Sequence, residues 1–361
     1  MKRWLCGVLA VLMLFPSGCS AILNRDYTSV TPHSATPASD GESNTLRVAS
    51  YQELVNALVY LIGRRAETGA LRFDGSENQE SEIKQMLDEA CLEVVQEDPL
   101  GAYAVEYIKY SVTPIVGSYE ADVQITYRRT REQMASIVDA TGTAAIRSEL
   151  SEALSQFSTQ VVLRISYFEE DSDYIRQLMR EAFLTNPASS LDLPDAEITM
   201  YPESGQRRIV EVILTYHQFR QALESQRNSL VREADRLLLQ GTDQAPAQLI
   251  SLVQEACAYS ERGGSTAYSA LIEGQADSQG MALALSLLCQ RADPVVPCVV
   301  VDGQRGGVSH LWNVVQTEHG YRHVDLTQSG PPVFHTDEEM WALGYSWTSE
   351  RVPACTAGEE P

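Results

Sequence analysis

Three residues late in the chain have the side chains that acyl transfer uses. Ser278 lies in the stretch EGQADSQGMALALSLLC, where a loop ends at Asp277-Ser278 and an apolar helix starts at once. A group displayed there sits at a helix N-terminus, whose partial positive charge favours a developing anion. His310, in SHLWNVV, and Asp325, in YRHVDLT, flank the turn Thr317–Gly320. A hairpin with its tip near 317 or 318 puts them on one face, directly opposite or one diagonal step apart. From there a carboxylate holds an imidazole in one tautomer, and a nucleophile at the start of a packed helix completes a triad. Each residue also has an ordinary reading: Ser278 as part of a helix cap, His310 and Asp325 as a structural hydrogen-bonded pair.

The elements that must carry these residues are legible from hydrophobic period. Helices are expected near Ser225–Gln240 and Pro246–Tyr259, followed by a loop Ser260–Asp277 and the helix opened by Ser278. Strands are expected at Val296–Asp302, Ser309–Thr317 and Tyr321–Leu326. Cys289 falls near the same helical face as Ser278 but roughly 16 Å further down the axis, so it cannot replace it. Cys298 reads as a core thiol among valines. Trp312 and Asn313 read as packing and strand-anchoring groups; His319, His323 and His335 read as surface or turn residues without ligand partners.

Upstream, two segments repeat. Ile83, Met86, Leu87, Ala90 and Cys91 share one helical face, and Ile175, Leu178, Met179, Ala182 and Phe183 follow the same spacing 92 positions later. Ala121, Val123, Ile125 and Tyr127 alternate as a half-buried strand does, and Val210, Val212, Leu214 and Tyr216 repeat the alternation at an offset of 89. Helices near Tyr51–Glu67 and Ile146–Phe157, each followed by a strand at Leu71–Phe73 or Val162–Tyr167, complete two α-β-α-β-β units at 46–136 and 140–222. Neither unit clusters His, Cys or paired carboxylates, so both read as binding or spacer modules.

Charge and termini bound the setting. A formal net charge of −22 excludes nucleic acid as a partner and disfavours adsorption to anionic lipid. Lys2 and Arg3 precede the apolar run Trp4–Phe15, too short to span a bilayer, so residues 1–19 read as a secretory signal. Residues 20–45, rich in Ser, Thr, Pro and Ala, read as a flexible stalk. Without the cysteines at 6 and 19 five remain, at irregular spacing that implies no disulfide framework and no zinc site, although Cys355 is free to pair with another. No cofactor or metal is expected.

Two resemblances sharpen this picture. Pro16-Ser17-Gly18-Cys19 resembles the lipobox of bacterial lipoproteins, with Pro16 where leucine is usual. It implies lipidation of Cys19 and attachment at the extracellular face of the cytoplasmic membrane; ordinary cleavage and free secretion is the alternative. STAYSALIEGQADSQGMALALSLLC, SHLWNVV and YRHVDLT, with the tail Thr336–Cys355, resemble the transglutaminase-like superfamily of papain-type cysteine enzymes over residues 224–361. The fold class expected is therefore α+β, a transglutaminase-like domain preceded by the two small repeated units. His310 and Asp325 match that family's histidine and aspartate, whereas Ser278 stands where it has its cysteine. A thiol there ionises beside an imidazolium; a hydroxyl cannot, and has to be deprotonated during attack. The resemblance thus implies an impaired enzyme whose cleft binds a peptide or a cell-wall component. The alternatives are an amide or ester hydrolase or acyl transferase using Ser278, His310 and Asp325, and an adhesion or assembly protein acting through the repeated units.

Overall fold

The computed structural model describes residues 45–74, 79–241 and 244–356. The expected signal, Cys19 and nearly all of the stalk lie outside the described residues. The fold is mixed α+β, with three four-stranded sheets.

The first unit runs β1 (Thr45–Val48), α1 (Tyr51–Gly63), β2 (Thr68–Asp74), α2 (Glu80–Glu97), α3 (Pro99–Ala104), β3 (Val105–Ile115) and β4 (Ser118–Tyr127). A short helix α4 (Arg131–Ala135) leads to the second: β5 (Val138–Ala140), α5 (Gly142–Ser155), β6 (Gln160–Ser166), α6 (Ser172–Thr185), β7 (Asp195–Tyr201) and β8 (Arg207–Thr215). The sheets have the same order, β1-β2-β4-β3 and β5-β6-β8-β7. Their register also agrees, since Leu46↔Leu71↔Ala121 in one corresponds to Val138↔Leu163↔Val210 in the other. Each unit opens with a short strand parallel to its neighbour, so the order is β-α-β-α-β-β and not the expected α-β-α-β-β. Strands of four and three residues are too short to carry an alternation that a sequence reading can detect.

The helices end alike as well. After α1, Ala66 N–H donates to Leu61 O and Arg65 N–H to Ile62 O; after α5, Ser158 N–H donates to Ala153 O and Phe157 N–H to Leu154 O. This paired hydrogen-bond pattern needs a left-handed residue, and Arg65 (φ 59°) and Phe157 (φ 52°) supply it 92 positions apart. For a residue with a Cβ that conformation costs roughly 1 kcal/mol. The stop at Gly63 also shortens the helix expected to reach Glu67.

The units stack. Helix α3 of the first lies on the outer face of the second unit's sheet, where Tyr103 meets Tyr201 edge to face at 5.4 Å. Val162 and Ile209 of the second unit join the first unit's core. Within this contact Glu211, almost fully buried, accepts from Arg129 Nη2 at 2.5 Å, Gln160 Nε2 at 2.6 Å and Tyr201 OH at 3.2 Å. A carboxylate taken out of water is tolerable only when paired and hydrogen-bonded in this way.

The remaining chain packs on the other side of the second unit and shares its core. It comprises α7 (Arg220–Gln240), α8 (Pro246–Ala256), β9 (Ala258–Gly264), a π turn at Ser269–Glu273, β10 (Gln275–Ala276) and α9 (Ser278–Arg291). Next come β11 (Cys298–Arg305), β12 (Val308–Thr317), β13 (Gly320–Val324), α10 (Asp337–Ala342) and β14 (Tyr345–Trp347). The third sheet has the order β13-β12-β11-β14. Thus α7 begins before the expected Ser225, the expected loop Ser260–Asp277 contains paired strands and a π turn, and β14 is an edge strand not foreseen. Helix α9 is buried all round from Gly280 to Cys289, as an apolar helix in the middle of a domain must be. No helix among the described residues is long and apolar enough to cross a membrane.

Candidate active site

The short strand β10 delivers the chain to Asp277, and Asp277 is the N-cap of α9: its Oδ1 accepts from Gly280 N–H at 2.9 Å. Ser278 is the first helical residue. Gly280 is required where it stands, because a Cβ there meets Gly264 O at 2.6 Å and Thr266 O at 2.9 Å. The first turn of α9 is therefore pressed onto the β9 loop, which fixes where Ser278 points. From the second unit, Arg180 of α6 reaches the same turn, donating to Gln279 Oε1 at 3.3 Å and to Asp302 Oδ2 of β11 at 2.6 Å.

β12 and β13 form the expected hairpin, with Asn313 opposite Val324 as its last pair. Continuing that register sets Asp325 opposite Trp312, one diagonal step from His310. His310 Nε2 lies 2.9 Å from Asp325 Oδ2, and both residues are buried. Asp325 is held from all sides: its Oδ2 also accepts from Tyr345 OH at 2.6 Å, and its Oδ1 from the N–H and hydroxyl of Thr327 at 2.9 and 2.8 Å. Arg305 Nη1 stands 3.6 Å from the same carboxylate, with its guanidinium over the Tyr345 ring. Burial alone pushes this carboxyl's pKa up, but the hydrogen bonds from His310 and Tyr345 outweigh it and bring the value to about 2. The ionised carboxylate needs a donor, so Nε2 of His310 carries a proton, which in the neutral ring leaves the lone pair on Nδ1. Nδ1 makes no hydrogen bond among the described residues and is not fully enclosed.

Ser278 stands beside this pair without joining it. Its Oγ accepts from Leu311 N–H at 3.3 Å, and among the described residues it shares no hydrogen bond with His310. The reason is in the sheet. β13 ends at Val324, so the Leu311 N–H on that side of β12 has no strand partner, and the hydroxyl takes that place. The structure therefore brings Ser278, His310 and Asp325 to one place but links only the last two.

A second histidine corrects the sequence expectation. His323 is not the surface residue its local sequence suggests; it is fully buried, with Nδ1 accepting from Trp312 Nε1–H at 2.9 Å and Nε2 donating to Asp337 Oδ1 at 2.8 Å. It occupies an inward-facing position of β13, and α10 and the residues around Cys355 close over it. His335 is half-buried and pairs with His323 through backbone bonds of 2.9 Å, whereas His319 is exposed in the turn. His323, Asp337 and Cys355 present ligand-type atoms within 4.8 Å of one another. Their hydrogen bonds do not suit a cation: a metal on Nε2 would leave Nδ1 protonated and facing the Trp312 N–H, donor against donor. Burial, reinforced by Asp337, also pushes the Cys355 thiol up to about 12.

Trp312 and Asn313 anchor the strand, Asn313 Nδ2 donating to Ala282 O of α9 at 3.0 Å. Cys289 and Cys298 are at the far end of α9 and the start of β11, and all five described cysteines are free. Sequence reasoning missed Tyr345, Thr327 and Arg305. Thr327 had a signal, since Asp-x-Thr is a local side-chain-to-backbone turn; Tyr345 and Arg305 come from separate strands and had none.

No family model matches the chain, and no curated protein does. One solved structure found similar is described as the crystal structure of a TGase; it shares 12% identity and a TM-score of 0.25, covering 62% of this chain and 67% of its own. A likeness at that level says nothing about the chemistry of this chain.

Proposed function

We propose that this chain is a cell-envelope protein, held by a lipid on Cys19, whose C-terminal transglutaminase-like region binds a peptide or cell-wall peptide without transforming it. The motifs around Ser278, His310 and Asp325 support the family reading. One observation carries the loss of turnover: Ser278 Oγ accepts from Leu311 N–H and has no bond to the imidazole that would have to deprotonate it. A serine hydroxyl is far too weakly acidic to attack unaided, and each 1.36 kcal/mol of added barrier lowers the rate about tenfold. The dyad remains built, with His310 oriented by Asp325, so the cleft keeps a polar, ordered wall for a ligand amide.

The test uses the full-length protein with wall-derived and glutamine-bearing peptides. Equilibrium dialysis is expected to show saturable binding that falls in His310→Ala, while mass spectrometry of the same mixtures shows no hydrolysed or cross-linked product. Product that disappears in Ser278→Ala would establish the serine-triad alternative, and absence of binding would remove the cleft as a ligand site.

A further inference from the structure

The outer sheet face of the first unit differs from its counterpart in the one respect that matters for a ligand: among the described residues it is uncovered, and it is basic. A groove of about 1090 Å³ crosses all four strands of that sheet. Its floor follows the rows Thr45–Ala70–Asp122–Ser111 and Thr68–Gln124–Lys109, built mainly of small or short polar side chains. Around it stand Arg64, Arg65, Lys109 and Arg131.

The second unit shows what this surface looks like without a ligand to hold. Its equivalent floor has Val162, Ile209 and Glu211, and they are buried under the first unit. The left-handed position after the first helix is Arg65 in one unit and Phe157 in the other. Phe157 is buried, edge to face with Tyr216 at 5.9 Å, whereas Arg65 lines the groove. Arg64 corresponds to Gln156, and Lys109, opposite Gln124, corresponds to Glu197, opposite Ile213. So the cations belong to this groove and not to the shared fold.

They are also available. Arg131 is partly offset by Glu67 at 3.8 Å, and Asp122 puts one carboxylate into the floor. Arg64 donates to Tyr60 OH at 2.8 Å and Lys109 Nζ lies 4.8 Å from the Tyr107 ring centre, but neither they nor Arg65 form an ion pair among the described residues. Glu132 adds a more distant charge interaction with Arg65 and Arg131. In a chain of net charge −22, three cations without an ion pair among the described residues gather around one concavity, and clustered charge of one sign concentrates oppositely charged ligands. Guanidinium forks pair with carboxylate and phosphate oxygens two at a time.

We infer that the groove of the first unit is a binding site for a small polyanion bearing several carboxylate or phosphate groups. It does not depend on how the cleft at His310 works. The test is calorimetric titration of the full-length protein with tripolyphosphate and with citrate, at low and at physiological ionic strength. Binding of either is expected at low salt, weakening as salt screens it. Binding of tripolyphosphate alone assigns a phosphate ligand, and binding of citrate alone a polycarboxylate. Arg65→Gly removes the cation at a position whose backbone conformation suits glycine, so the thermal midpoint is expected to hold or rise while affinity falls about tenfold. Lys109→Gln, on an exposed strand position, is expected to weaken binding by a smaller factor. Failure of the wild type to bind either anion, or unchanged affinity in both variants, would overturn the inference.

Discussion

Two buried histidines on one hairpin of this molecule each meet an aspartate, and the two pairs are built for different ends. His310 meets Asp325 at 2.9 Å and His323 meets Asp337 at 2.8 Å, so distance alone does not separate them. The difference is the other ring nitrogen. Nδ1 of His323 is occupied by the Trp312 N–H in a fully closed interior, whereas Nδ1 of His310 has no partner among the described residues, and the next residue along, Leu311, bonds Ser278 through its N–H. A histidine–aspartate pair thus marks a reactive site only where one nitrogen is left for a substrate or nucleophile; with both nitrogens engaged it is a rivet. One ring touches both pairs: Trp312 stacks on His310 and donates to His323, while Tyr345 packs against His310 and Trp312.

The largest expected difference between the pairs is in stability. His323→Ala strips Trp312 Nε1 and Asp337 of a buried partner and leaves a cavity, and is expected to cost about 3 kcal/mol. His310→Ala leaves Asp325 with Tyr345 and Thr327 as donors and is expected to cost about 1 kcal/mol. Urea unfolding followed by tryptophan fluorescence reports on this region directly, because Trp312, Trp341 and Trp347 form one cluster there. Equal losses in the two variants would erase the distinction between rivet and site.

Acid separates the pairs next. Asp325 falls from 3.8 unfolded to about 2 folded, a depressed carboxylate, so its contribution is present above pH 4 and is lost as pH falls toward 2. The shift corresponds to about 2 kcal/mol. Burial lowers the His323 pKa despite Asp337, so the native state prefers the neutral ring and stability is lost as pH falls below its unfolded value of 6.5. Stability measured against pH is therefore expected to decline in two stages, and His323→Gln to abolish only the upper one. A single decline below pH 4 would show that His323 titrates as it does in the unfolded chain.

The smallest effect concerns the hydroxyl. If Ser278 Oγ serves Leu311 N–H, Ser278→Ala leaves that donor unpaired and costs about 1 kcal/mol. Ser278→Ala without any loss of stability would show that the bond contributes nothing.

The hairpin was readable because period-two alternation and a polar turn fix register, and register puts His310 and Asp325 together whatever surrounds them. The helix start at Ser278 was readable from Asp277 and the apolar run behind it. An offset of 92 showed the shared helices of the two units and an offset of 89 the shared strands, and the first holds down to the left-handed stops at Arg65 and Phe157. What escaped was set by distant chain. His323 has the same local sequence character as a surface histidine, and only the return of α10 and Cys355 buries it. The short strands β1, β5 and β14 draw their stability from neighbours, not from their own pattern. Nor does any motif reveal that β13 stops one pair too soon, which is what directs Ser278 to a backbone N–H.

The most direct check on the cleft is intact-mass analysis after exposure of the folded, wild-type protein to a fluorophosphonate. A hydroxyl engaged by Leu311 N–H and unlinked to His310 is expected to give no adduct, while Ser278→Cys becomes alkylated by iodoacetamide ahead of the five native thiols of the described residues. An adduct on Ser278 of the wild type that vanishes in His310→Ala would contradict a cleft that binds without turnover.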